Sequence, residues 1–196
     1  QMVFQDPYES LNPLMTMGEI VGEPLVVHGR ARGGEEWTAR VSRALEDAGL
    51  KPADSFLHRY PHELSGGQRQ RVVIAGALVL EPAVLLADEP VSMLDVSIRA
   101  EILNLLADLR QARGISVLFI THDLSTAAYF ADRVAVMYLG RIVEVATAEE
   151  IYRNPRHPYT RALLSAIPIA HPSERASKAA TRVVLKGDVP SPIHPP

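Results

Sequence analysis

Residues 83–87, Ala-Val-Leu-Leu-Ala, form an unbroken apolar run of strand length that stops at Asp88-Glu89-Pro90. A run without polar alternation predicts a strand of a parallel sheet covered on both faces. Val96 to Arg113 follows as a long helix with Ile98, Ile102, Leu105, Leu106 and Leu109 on one face, and Gly114 ends it. Ile115 to Ile120 is a second buried strand, ending in Thr121-His122-Asp123. Strand, helix and strand with polar residues at both strand tips describe a right-handed βαβ unit, so the fold class is α/β. Open α/β sheets collect their ligands at the carboxyl ends of the strands. Taken singly, Asp88-Glu89 suits a capped turn as well as a metal site, and a lone histidine after a strand is more often structural.

A second constraint lies upstream. In Leu64-Ser65-Gly66-Gly67-Gln68, Ser65 and Gln68 have the spacing of a capping box, in which each side chain satisfies the other's backbone N–H. The glycine pair at the same helix start would let backbone N–H groups approach an anion closely, with the helix dipole adding positive potential. Local capping and phosphate binding both fit this pentapeptide alone. The helix should run from Arg69 to Leu80, before Glu81-Pro82.

The remaining chain fills in around these two stretches. Met2-Val3-Phe4 reads as the end of a buried strand, with Gln5 at its tip; Tyr8 to Pro13 is turn-forming. Ile20 to Val27, interrupted by Gly22 and Pro24, predicts loop and short helix, whereas Glu35 to Ala48 repeats Trp37, Val41, Ala44, Leu45 and Ala48 at helical spacing before Gly49. Lys51 to Glu63 is expected to be loop, and its His58 and His62 lack partners at metal-ligand spacing. Val134–Tyr138 and Ile142–Val145 predict a β-hairpin through Gly140-Arg141. Thr147 and Glu150 offer another capping box, Asn154-Pro155 a stop, and Tyr159 to Ile167 a last helix. Beyond Pro168 the chain is rich in Pro, Ser, Ala and charge, with a strand-like patch at Thr181 to Lys186. No internal repeat is present.

Composition removes several functions. A net charge of −3 gives no basic excess for a nucleic-acid partner. The absence of cysteine excludes disulfides, thiolate zinc sites and thiol catalysis from these 196 residues. The longest apolar run, Val72 to Leu80, is far short of the roughly 20 residues of a membrane span.

Five features stand in the order found in ATP-binding-cassette (ABC) ATPases, and the chain resembles that family along its length. Gln5 resembles the Q-loop glutamine, Leu64 to Gln68 the signature motif, Val84 to Glu89 the Walker B strand, Ser92-Met93-Leu94-Asp95 the D-loop, and His122 the switch histidine. The spacing from signature to Walker B and on to the histidine suits ordinary βαβ dimensions. The resemblance implies a P-loop NTPase-like core with a parallel sheet plus a helical subdomain. It implies ATP and Mg²⁺ as cofactors. Asp88 would hold Mg²⁺ largely through water, Glu89 would act as general base or orient the attacking water, Gln5 would contact Mg²⁺ or that water, and His122 the γ-phosphate. Ser65, Gly66, Gly67 and Gln68 would bind the nucleotide of an opposing subunit, with Asp95 at the same dimer junction.

Val3 to Pro13 and Arg156-His157-Pro158-Tyr159-Thr160 closely resemble the ATPase subunits of oligopeptide and dipeptide importers, a group that includes nickel importers, and Leu185 to Pro192 is similar to their tails. The resemblance divides the chain into a Q-loop and helical subdomain at 1–63, an ATPase core at 64–146 and a partly irregular extension at 147–196. It implies a second ATPase subunit, alike or different, two transmembrane permease subunits, an indirect solute-binding protein, and a peripheral place on the cytoplasmic face of the membrane. One departure stands out. The Walker A pattern Gly-x-x-x-x-Gly-Lys-Ser/Thr occurs nowhere, and none of Lys51, Lys178 and Lys186 follows such a loop.

The family places Walker A and an N-terminal β-subdomain before the Q-loop. The expectation is therefore a fragment beginning at the Q-loop, inactive in ATP hydrolysis alone and prone to aggregate through uncovered sheet. A truncated docking module is the alternative. A non-transport ABC ATPase fits less well, since the interval between Gln5 and Leu64 holds neither sustained heptads nor cysteine.

Overall fold

The computed structural model describes residues 1–167, so the patch at 181–186 and the proline-rich end lie outside the described residues. The chain separates after Ile120 into two compact units. In the first, β1 (Met2–Val3), β2 (Val84–Asp88) and β3 (Ser116–Ile120) form a parallel sheet in the order β1-β2-β3. Met2 stands opposite Leu86 and Asp88 opposite Ile120, which aligns the tips of β2 and β3.

The strands are covered on one face only, which corrects the expectation of two-sided burial. Val3, Leu85 and Ala87 are buried, while Val84, Leu118 and Ile120 are 55%, 58% and 44% exposed. Pleating sends alternate side chains to opposite faces, and no layer of the first unit covers the second face.

Helices α1 (Pro7–Ser10), α2 (Met17–Val27), α3 (Gly34–Asp47), α4 (Asp54–Leu57), α5 (Gly66–Leu78) and α6 (Val96–Arg113) complete this unit. The α6 bounds match the reading of the sequence, and Gly114 adopts the left-handed C-cap. The turn expected after Tyr8 is instead the end of α1, and 51–63 contains α4 and a short 3₁₀ turn. The larger difference is α2, an 11-residue helix where loop and short helix were expected. Thr16 and Glu19 cap it reciprocally, and Met17, Val21 and Leu25 make a fully buried stripe at four-residue spacing. That burial outweighs the unfavourable Gly22 and Pro24. Helices α2, α3 and α5 pack on one another, so the helix that follows Ser65 belongs structurally with the helices before it.

The second unit holds α7 (Leu124–Phe130), the hairpin β4 (Arg133–Tyr138) and β5 (Arg141–Thr147), α8 (Ala148–Arg153) and α9 (Pro158–Ala166). The boundary at Ile120 falls inside the 64–146 stretch because the hairpin forms its own sheet and shares a core with α8 and α9. Leu139 and Gly140, with φ of 47° and 76°, make the two-residue turn, one position earlier than Gly140-Arg141. The box of Thr147 and Glu150 caps α8. No helix among the described residues is long and apolar enough to cross a membrane.

The Arg156-to-Thr160 motif is pinned to the hairpin at both ends. Glu144 accepts the Arg156 and His157 N–H groups at 2.8 and 3.0 Å, and the rings of Tyr159 and Tyr138 lie 4.3 Å apart. Partial burial pushes the Glu144 carboxyl up, but the Thr160 side chain, the two N–H groups and the charge of His157 together hold it below the ordinary glutamate value. A carboxyl so lowered contributes stability above its unfolded pKa and loses it as pH falls through the folded value. Solvent screens this site, so Glu144→Gln should cost only about 0.5 kcal/mol near neutral pH, with the difference from the parent vanishing in acid. Paired denaturant titrations at the two pH values check this.

Candidate functional site

The site is built at the carboxyl edge of the sheet. β2 ends in Asp88, and the next residue, Glu89, bends the chain with φ of 43°, a left-handed conformation that is costly for a residue with a Cβ. Its backbone is held on both sides: the N–H donates to the Ile120 carbonyl at 2.9 Å, and its carbonyl accepts the Ser92 N–H at 3.1 Å and the Ser92 hydroxyl at 3.0 Å. Gln5 Nε2, just beyond β1, donates to Glu89 Oε2 at 3.1 Å. The structure thus brings Gln5, Asp88 and Glu89 together from strands distant in sequence.

Asp88 is half-buried, and its carboxylate takes no hydrogen bond among the described residues. No cluster of three or more His, Asp or Glu suited to a metal ion occurs among them either. A single free carboxylate at a strand tip fits Mg²⁺, which keeps several waters and uses one or two carboxylates beside substrate phosphates.

The Leu64–Gln68 turn realises its capping reading. The Ser65 N–H donates to Gln68 Oε1 at 3.0 Å, and the Gln68 N–H donates to Ser65 Oγ at 3.3 Å, opening α5. Both side chains are thereby occupied locally. The first-turn N–H groups of Gly66 and Gly67 have no acceptor within the helix. Gly67 has a second task that its sequence did not signal: a Cβ there would stand 2.7 Å from Ile98 Cγ2, so the bare backbone lets α5 meet α6.

Asp95 is exposed at the N-cap of α6, where its carbonyl accepts the Arg99 N–H at 2.8 Å and its side chain caps nothing. His122 is exposed just before Asp123, whose carboxylate caps α7. It belongs to the second unit, whereas all the residues above belong to the first.

The family profile described as ABC transporter matches residues 1–92, and that described as oligopeptide/dipeptide transporter, C-terminal region, matches residues 143–196. The chain is 52% identical over all its 196 residues to the oligopeptide transport ATP-binding protein OppF of Escherichia coli. It belongs to the ABC transporter ATPase family. It spans 58% of the length of that relative. The glutathione import ATP-binding protein GsiA of Escherichia coli O6:H1 is 53% identical over 99% of this chain, which covers 30% of it. Among solved structures, the dimeric post-hydrolysis state of the ATP-binding cassette MJ0796 bound to ADP and Pi superposes with a TM-score of 0.62 at 35% identity. That match covers 75% of this chain and 62% of the other. ABC ATPases therefore supply the fold to which this parallel sheet and its helices belong.

Two residues near the site escaped the reading of the sequence. Tyr8 lies under the guanidinium of Arg69, 4.3 Å from its ring centroid, and Arg69 Nε donates to the Pro61 carbonyl at 2.7 Å. An exposed tyrosine and an arginine on a helix are ordinary surface residues until the fold sets them face to face.

Proposed function

We propose that these residues are the hydrolytic and signature-bearing part of an ABC importer ATPase that energises peptide uptake. The Gln5–Glu89 hydrogen bond beside the free Asp88 carboxylate carries this reading, because it sets an amide and two acids at one strand edge. In this role Glu89 takes a proton from the attacking water or orients it, Gln5 holds the Glu89 carboxylate in place, and Asp88 would hold Mg²⁺. Bound Mg²⁺ would neutralise charge on the phosphates. His122 would contact the γ-phosphate. The Gly66 and Gly67 N–H groups, fixed by the Ser65–Gln68 cap, face the nucleotide of the opposing subunit, and Asp95 lies at that junction. No residue here supplies a Walker A cradle, so the chain's own nucleotide is met from the water and γ-phosphate side.

The peptide class is supported by relatives that import oligopeptides and glutathione. The partners are a second ATPase subunit, two permease subunits that meet the helices before Leu64, and indirectly a solute-binding protein. The complex lies at the cytoplasmic face of the membrane. The extension from residue 147 serves as the importer-type end of the chain, and its α8 and α9 share a core with the hairpin.

ATP-driven association tests the reading. In the complete gene product, Ser65→Arg should abolish dimer formation in ATP and Mg²⁺ as seen by sedimentation velocity, while the nucleotide-free monomer stays folded and loses only the roughly 1 kcal/mol of the α5 cap. A variant that dimerises with the parent's affinity overturns it.

A further inference from the structure

We infer that Tyr8 is a positioning residue, tying the Gln5–Glu89 edge of one nucleotide site to the signature turn that serves the other. The inference rests on the reading of the Leu64–Gln68 turn just given and extends it to how one chain's two half-sites communicate.

The connection is short and held at every step. Gln5 bonds Glu89 at 3.1 Å. Directly after it, Asp6 caps α1, accepting the Tyr8 N–H at 2.7 Å on its carboxylate, while its carbonyl accepts the Ser10 hydroxyl at 2.6 Å and the Ser10 N–H at 3.2 Å. Pro7 is buried beneath this turn. Tyr8 therefore follows the backbone at Gln5 with little slack between them. Tyr8 is 59% exposed, so core packing does not account for its placement.

Arg69 covers the ring face at 4.3 Å, within the range of a cation–π contact. No carboxylate pairs with Arg69 among the described residues; its pose comes from the ring and from the Pro61 carbonyl at 2.7 Å. The Arg69 N–H in turn donates to the Ser65 carbonyl at 2.9 Å, the first bond of α5. The tyrosine hydroxyl lies 3.6 Å from where a Cβ on Gly66 would stand, and Leu94 Cδ2 lies 3.8 Å from the same point. Three segments thus meet at Gly66: the one carrying Gln5, the signature turn, and the loop ending in Asp95.

Two measurements test the coupling. The first is backbone amide exchange of Gln68 and Arg69 by NMR in the complete gene product. Tyr8→Leu and Arg69→Met should each speed exchange at these two amides about tenfold, with amides of β2 unchanged. The double variant should be no faster than either single one, and Tyr8→Phe, which keeps the ring, should match the parent. The second is ATP turnover by the complete gene product, where Tyr8→Leu should lower kcat about tenfold with KM within about twofold of the parent. Exchange equal to the parent in Tyr8→Leu, additive effects in the double variant, or equal losses in Tyr8→Phe and Tyr8→Leu would overturn the inference. Absence of turnover in the parent would strike the proposed function instead, and the exchange result would still decide the role of Tyr8.

Discussion

Gly22→Ala should destabilise the first unit by about 2 kcal/mol, although alanine is the better helix former. A Cβ at position 22 would lie 2.2 Å from Trp37 Cζ2 and 2.4 Å from its Nε1, inside any tolerable contact. The indole packs across α2 from α3 and donates from Nε1 to the Gly22 carbonyl at 3.4 Å, so a rigid aromatic plane rather than a flexible chain end must give way. Two effects oppose each other. Helix propensity favours alanine by up to about 1 kcal/mol, while displacing the indole forfeits burial and a hydrogen bond together worth about 3 kcal/mol. Displacement wins, and the melting midpoint should fall by about 4–8 °C. Pairing Gly22→Ala with Trp37→Ala should cost less than the sum of the single changes, since the clash then has no second partner. Gly76→Ala is the control: in α5 a Cβ there meets nothing within 4 Å, so the same substitution should stabilise by about 0.5–1 kcal/mol.

That contrast shows what the sequence made legible. Gly22 and Gly76 look alike in a string of letters, and only the third dimension sets an indole against one of them. The elements read well were those whose causes are local. The Ser65–Gln68 and Thr147–Glu150 boxes need only four residues, and α6 carries a full heptad-length stripe with a glycine stop. Helix α2 was misread because Gly22 and Pro24 speak against a helix locally, while the burial of Met17, Val21 and Leu25 that favours it depends on α5 and α3. The strands β2 and β3 were identified by their apolar runs, yet exposure of Leu118 and Ile120 depends on what stands above the sheet, which a run of letters does not state. At the site, the strand-tip position of Asp88 and Glu89 followed from the βαβ pattern. The Gln5–Glu89 bond did not, because it arises from registering strands more than eighty residues apart, nor did the left-handed Glu89 backbone, which is held by the Ile120 carbonyl and by Ser92.

Glu89→Gln should reduce ATP turnover by the complete gene product at least about 100-fold while leaving ATP-driven dimerisation intact, on the proposed role of Glu89. The substitution is isosteric and isolates the charge. The introduced amide can still accept the Gln5 N–H through its own carbonyl, so the 3.1 Å contact survives, and the backbone bonds to Ile120 and Ser92 do not involve the side chain. A left-handed φ of 43° at this position is no harder for glutamine than for glutamate. Fold and strain are thus common to both proteins, and only the ability to accept a proton from water is lost. Gln5→Ala makes the complementary change: the carboxylate keeps its charge but loses the group that orients it, for an expected loss of about tenfold in kcat. If Glu89 instead served only to shape the turn, Glu89→Gly would keep turnover, because glycine adopts this φ without strain. A general base predicts the opposite, turnover lost as fully as in Glu89→Gln with no fall in melting temperature. Steady-state kinetics and thermal melts on these three variants separate the two roles, because strain at the turn registers in the melt and the proton acceptor in kcat.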